Sequence, residues 1–263
     1  MSESSLKKAV NLSMLPGGMS MVDRFKLAAD VGFQGVEVGP TNDPHEQSIL
    51  LGAAEKAGIP IHSIIYGGWG KPLSSGDPAA GAQAVEDAKA GLQCAKALGA
   101  DALLLVPAVV NAETRYVDAY ERSHKRVKEL IPTAEKLGVT ICIENVWNAF
   151  LLSPIEFARY VDEFKSPWVQ AYFDVGNVIG AFGFAQDWIL TLGKRIKKIH
   201  LKDFKLDGRQ WVNLGDGSVN WPSVKQAFAD IGYSGFMTTE LAGGNEKYLR
   251  DVCGRIDRLL LGK

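Results

Sequence analysis

Residues 134–144 read "AEKLGVTICIE". Ala, Glu, Lys and Leu carry a helix up to Gly138, the residue type that closes helices in the left-handed conformation. Five residues of buried-strand composition follow, and the stretch ends on a carboxylate, Glu144. The same order of helix end, glycine and strand recurs in "AADVGFQGVEV" (28–38), "AKALGADALLL" (95–105) and "FADIGYSGFMTTE" (228–240). An echo of this kind marks repeated βα units.

Working outward, strands are expected at 9–14, 35–39, 59–65, 101–107, 139–145, 169–176, 196–203 and 235–241, with an amphipathic helical pattern after almost every one. Eight strands alternating with eight helices in 263 residues is the arithmetic of an α/β fold of the (β/α)8 TIM-barrel type. No linker or low-complexity stretch divides the chain, so one barrel domain is expected over 1–263. The Pro/Gly-rich stretch "YGGWGKPLSSGDP" (66–78) is expected as a long loop on the face where barrel enzymes keep their sites. Pro132 falls inside the fourth helical pattern, where a kink or break is expected.

With 46% hydrophobic residues the chain can bury a full core, and its net charge of -1 lacks the basic footprint of a nucleic-acid binder. It has no Lys/Arg-rich run to hold an anionic membrane surface and no apolar run long enough to span a bilayer. The start, "MSESSLKK", is polar, unlike a signal peptide. Cys94, Cys142 and Cys253 are scattered and read as reduced thiols. A cytoplasmic protein is expected.

Glu144, Asp174, His200 and Glu240 end the last four strands, at gaps of 30, 26 and 40 residues, about one βα unit each. The carboxyl ends of parallel barrel strands meet at one mouth. Three carboxylates there need compensating positive charge, which a divalent metal ion supplies. An oxygen-rich set with one nitrogen favours Mn²⁺, with Mg²⁺ and Co²⁺ as neighbours in preference; zinc remains compatible.

The motifs "IENVWN", "YFDVGN", "IHLKDF", "NLGDGSVNW" and "TTEL" resemble the sugar phosphate isomerase/epimerase family, whose fold is a xylose isomerase-like TIM barrel. "PWVQAYFDVGN" and "KKIHLKDF" are similar to its L-xylulose/L-ribulose-5-phosphate 3-epimerase and hexulose-6-phosphate isomerase branch. The resemblance implies that Glu144, Asp174, His200 and Glu240 hold the metal and that Glu144 and Glu240 are also the catalytic acid/base pair. It implies, further, a homo-oligomer. Free-ketose 3-epimerases of the tagatose/psicose type carry a His where this chain has Asn177, and a second carboxylate where it has Phe150. Those departures favour a phosphorylated substrate.

The expected chemistry is 3-epimerisation of a ketose or ketose phosphate, by proton transfer through a metal-stabilised enediolate. Aldose–ketose isomerisation stays open. So does a lyase or dehydratase acting on a keto-sugar or keto-inositol, which begins with the same proton abstraction. A nuclease of the endonuclease IV type needs a histidine-rich multi-metal site, and this chain has four histidines. A non-catalytic sugar- or metal-binding barrel has no use for two flanking glutamates. Lys202 and Asn177 are read as substrate-binding positions, beside His62, Glu37 and Trp147; the competing readings are a solvated rim lysine, a core histidine, a glutamate standing behind the metal ligands or in a salt bridge, and rim packing. Trp69 is read like Trp147. For a phosphate, the candidates are the backbone of "LAGGNEKY" (241–248) with Lys205, Arg209 and Lys247. "GDG" (215–217) reads as a turn.

Overall fold

In the computed structural model of the chain the described residues are 6–70, 72–181 and 183–263. The strands are β1 (Leu6–Asn11), β2 (Gly35–Val38), β3 (Ile61–Gly67), β4 (Ala102–Leu105), β5 (Thr140–Glu144), β6 (Val169–Asp174), β7 (Ile196–Leu201), β8 (Asp203–Lys205), β9 (Gln210–Val212) and β10 (Gly235–Thr239). Eight of them, β1 to β7 and β10, close into a parallel barrel in sequence order, while β8 and β9 form an antiparallel hairpin. Helices α1 (Met21–Asp30), α2 (Pro44–Ala57), α3 (Pro78–Ala97), α4 (Tyr116–Leu137), α5 (Pro154–Asp162), α6 (Val175–Gly180), α7 (Ala185–Leu192), α8 (Trp221–Asp230) and α9 (Glu246–Ile256) fill the connections.

Local chemistry sets these boundaries. Asp43, Asp77 and Ser153 each accept a backbone N–H at a helix start and are followed by proline in the first turn. Gly58 and Gly138 end α2 and α4 at φ 67° and 70°, which a side chain would make costly. The helix α4 runs through Pro132 without the expected break. β1 lies about three residues earlier than the sequence pattern suggests. Asn11 stops it: its side chain accepts the Ser13 N–H and starts a turn at Leu12–Met14.

The pleat decides which residues point inward. Ala102, Leu104, Cys142 and Tyr172 form a small cluster inside the barrel, apart from the main core between strands and helices. Glu144 follows Cys142 by two, Asp174 follows Tyr172 by two, and Glu240 follows Thr238 by two. Each carboxylate thus stands above an inward residue, at the barrel mouth. Among the described residues no helix is long and apolar enough to cross a membrane, and the three cysteines are free and buried. The polar start at Met1–Ser5 and Lys71 of the loop after β3 lie outside the described residues.

Candidate metal centre

Strand register brings the four expected ligands together. His200 pairs with Asp174 on β6 and with Thr238 on β10, and Glu144 pairs with Tyr172. One ligand atom from each of Glu144, Asp174, His200 and Glu240 lies within 4.8 Å of every other. Nδ1 of His200 faces Oε1 of Glu144 at 2.8 Å and Oε2 of Glu240 at 3.1 Å. The first three residues are buried and Glu240 is partly open to the cavity.

Asp174 is held in place around its free oxygen. Its backbone N–H donates to Asn145 Oδ1 at 2.8 Å and its carbonyl accepts from Asn145 Nδ2 at 2.9 Å. Oδ1 accepts the Asn177 N–H at 2.7 Å and caps α6. Oδ2 is buried and accepts no hydrogen bond; Lys202 Nζ faces it as a charge at 3.0 Å and reaches Glu240 Oε2 at 2.6 Å. A buried carboxylate oxygen that accepts no hydrogen bond is rare and calls for an explanation. A set of three carboxylates and one imidazole nitrogen fits a hard divalent cation.

Among the protein's own groups, burial pushes the Glu144 carboxyl up to about 7, against the pull of His200. Burial opposes charge on Glu240 as well, but His200 and Lys202 outweigh it and hold that carboxyl well below the usual range. His200 moves upward because Glu37 and Glu240 overcome its desolvation. Lys202 rises too, its burial overcome by Asp174, Glu144 and Glu240.

Two expected substrate contacts are corrected. Glu37 is fully enclosed beneath the centre, where Oε2 lies 2.8 Å from His200 Nε2 and Oε1 accepts the Tyr172 hydroxyl at 2.6 Å. Asn11 Nδ2 also donates to Oε2, at 3.2 Å. Burial would raise this carboxyl, but the charge of His200 brings it down to about 2. Glu37 thus faces the imidazole from below and lines neither mouth cavity. His62 is the second residue of β3, at the amino-terminal floor of the barrel, not at the mouth. The run "IPIHSIIYGG" has no alternation to show where the strand begins.

Trp147, Trp69, Asn177 and Lys202 do line the mouth. They surround a cavity of about 390 Å³ with Glu144 and Glu240. The Asn177 amide donates to the Asn145 carbonyl at 2.9 Å, and Trp147 Nε1 donates to the Asn177 carbonyl at 2.9 Å. Phe150 is buried among Tyr116, Tyr120 and Tyr160, away from the cavity. A second cavity of about 680 Å³ opens beside Ser13, Asn213, Gly243 and Tyr248 and shares Lys202, Trp211 and Glu240 with the first. Of the cations named for phosphate, Lys205, Arg209 and Lys247 line neither cavity. Gly243 presses on Met14, whose Cα lies 2.6 Å from where a Cβ would stand, and the Gly244 N–H donates to the Met14 carbonyl at 3.1 Å. That N–H is already spent.

Sequence reasoning missed Trp211, which divides the two cavities. It sits on β9, stacked on Trp147 at 5.0 Å with Lys202 Nζ 5.6 Å from its ring. Asp207–Gly208 between two short polar–apolar runs was the available signal for that hairpin. The "GDG" turn wraps Asp203, which accepts the N–H groups of Gly215 (2.8 Å), Gly217 (3.3 Å) and Val219 (3.2 Å) and Nε1 of Trp221 (2.9 Å).

The chain is 27% identical over 232 residues to L-ribulose-5-phosphate 3-epimerase UlaE of Escherichia coli O1:K1 / APEC, covering 84% of this chain and 82% of that one. Its fold is similar to that of a D-psicose 3-epimerase solved in the presence of D-fructose, with a TM-score of 0.82, 19% identity and coverage of 97% and 100%. It is equally similar in fold to 3-keto-D-glucoside 4-epimerase YcjR from E. coli, with a TM-score of 0.82, 13% identity and coverage of 96% and 99%. Residues 25–259 match the family described as xylose isomerase-like TIM barrel. With the closed eight-stranded barrel and the carboxylate-rich mouth, this match places the chain in the xylose isomerase-like TIM barrel family.

Proposed function

We propose that this protein is a divalent-metal-dependent sugar epimerase, an isomerase that inverts the carbon beside the carbonyl of a ketose or ketose phosphate. The convergence of Glu144, Asp174, His200 and Glu240 carries the reading. The likeness to a ribulose-phosphate 3-epimerase supports both the reaction and C3 as its centre. Those four side chains would hold the metal. When bound, the cation supplies Lewis-acid charge that acidifies the C–H beside the carbonyl.

The chain's own residues do the rest. Glu144 and Glu240 rise from β5 and β10, three strands apart around the barrel, so they approach a bound sugar from different sides. One removes the proton and the other returns one to the opposite face, which inverts the carbon. Glu37 fixes the ring of His200 from below. Lys202, on the wall of both cavities, is placed to hold a hydroxyl or phosphate oxygen. Trp147, Trp69 and Trp211 give the mouth an apolar lining that suits a sugar's C–H face.

The test is proton NMR in D₂O with Mn²⁺-loaded and then metal-stripped protein, using ketopentose 5-phosphates beside free ketoses. Metal-dependent deuterium uptake at C3 with conversion to the epimer is the expected result. Uptake with free ketoses alone would remove the phosphate from the reading. No exchange with any ketose, but elimination from a keto-sugar or keto-inositol, would replace the epimerase by a lyase.

A further inference from the structure

Glu144 lines only the smaller mouth cavity, of about 390 Å³, so the reacting carbons of a ketose belong there. The cavity of about 680 Å³ stands beside it and shares Lys202, Trp211 and Glu240 with it. The space for the unreactive end of a substrate is therefore the larger of the two. A phosphoryl group, comparable to a few waters of about 30 Å³ each, would leave most of it empty.

The charges on that wall cancel. Lys202 and Glu240 are its charged residues, and they already pair, Nζ to Oε2 at 2.6 Å. Lys202 also faces Asp174 Oδ2 at 3.0 Å. A divalent cation on the four ligands keeps this balance: three carboxylates against two positive charges leave one negative charge, which Lys202 offsets. The Leu241 N–H donates to Met14 Sδ at 3.3 Å and the Gly244 N–H to the Met14 carbonyl, so the turn over the cavity has spent both. A phosphate dianion would find no spare cation here and would stand beside a carboxylate.

The rest of the lining is neutral. Asn213 Oδ1 accepts the Tyr248 hydroxyl at 2.8 Å, and among the described residues its Nδ2 has no protein partner. The Ser13 hydroxyl donates to Asn11 Oδ1 at 2.7 Å and keeps its lone pairs for an incoming donor. Trp211 and Tyr248 add aromatic surface. Amide and hydroxyl groups set among aromatic rings match the hydroxyls and C–H faces of a sugar.

We propose that the second cavity is a subsite for an uncharged glycosyl unit, so that the substrate is a ketose carrying a second sugar at the end remote from its carbonyl. The inference rests on the reading of the mouth as a ketose site.

Isothermal titration calorimetry on Mg²⁺-loaded full-length protein compares D-fructose, D-fructose 6-phosphate and 6-O-α-D-glucosyl-D-fructose, which differ in what the last hydroxyl carries. The glucosyl derivative is expected to bind about tenfold or more tightly than D-fructose, and the phosphate ester no more tightly than D-fructose. Asn213→Ala should cut the glucosyl advantage about fivefold, the worth of one hydrogen bond. Asn213 is partly exposed, and circular dichroism checks that the variant folds. Equal affinity for D-fructose and its glucosyl derivative overturns the proposal. So do tightest binding of the phosphate ester, binding of none of the three, and an advantage undiminished in Asn213→Ala. Deuterium uptake at C3 in the same complexes reads the reaction separately. Exchange without a glucosyl advantage overturns the subsite alone; a glucosyl advantage without exchange supports the subsite and removes the epimerase.

Discussion

His200 Nε2 lies 2.8 Å from Glu37 Oε2, and neither side chain is exposed to solvent. The bond commits one ring nitrogen to the barrel interior and turns the other, Nδ1, towards the carboxylates of Glu144 and Glu240. Glu37→Gln keeps the shape and removes the charge-assisted bond. Metal affinity is expected to fall about 10- to 100-fold. Competition with a fluorescent chelator measures this, and an unchanged affinity would show that Glu37 has no orienting role.

Asp174 brings a buried oxygen that accepts no hydrogen bond. If the centre holds a cation, Mn²⁺ should raise the melting temperature by mass action, by the equivalent of about 2.7 kcal/mol at a hundredfold excess over Kd. Asp174→Asn should abolish most of that rise, since an amide offers the ion a poorer oxygen. Differential scanning calorimetry with and without Mn²⁺ separates the outcomes; equal rises in both proteins would place the ion elsewhere.

Trp211 touches both mouth cavities while its ring remains about half exposed. Trp211→Ala is therefore expected to leave stability nearly unchanged and to raise KM about tenfold, with a smaller effect on kcat. Steady-state kinetics on the substrate found by the exchange assay provide the check. A loss confined to kcat would contradict a role in binding.

His62 governs one part of the acid response. Its folded value of about 3 lies below the ordinary histidine value of 6.5, so the unfolded chain binds the extra proton between these limits. The contribution is complete above about pH 6.5 and is lost as pH falls towards 3, by up to about 1.4 kcal/mol per pH unit. His62→Gln should flatten the stability curve across that window, as read by urea unfolding at stepped pH. Parallel curves for the two proteins would show that His62 titrates normally.

The four candidate ligands were legible because each stands at or next to the end of a strand of recognisable composition, and barrel topology converts sequence spacing into one mouth. Their supports were not. Glu37 and His200 are 163 residues apart, and no local pattern distinguishes a carboxylate under the imidazole from one beside it. His62 was misplaced because a continuous apolar run hides a strand's start. Trp211 escaped because three-residue strands carry too little periodicity to stand out.

The four expected ligands come from β5, β6, β7 and β10, whereas Glu37 and the Asn11 that bonds to it come from β2 and β1. The carboxy-terminal half of the chain thus holds the four expected ligands and the amino-terminal half holds the brace of His200. A chimaera that replaced the first half with that of another barrel would retain every ligand and still lose its footing, unless the donor supplied a carboxylate under the imidazole. For anyone recombining such barrels, the unit of inheritance here is the closed ring.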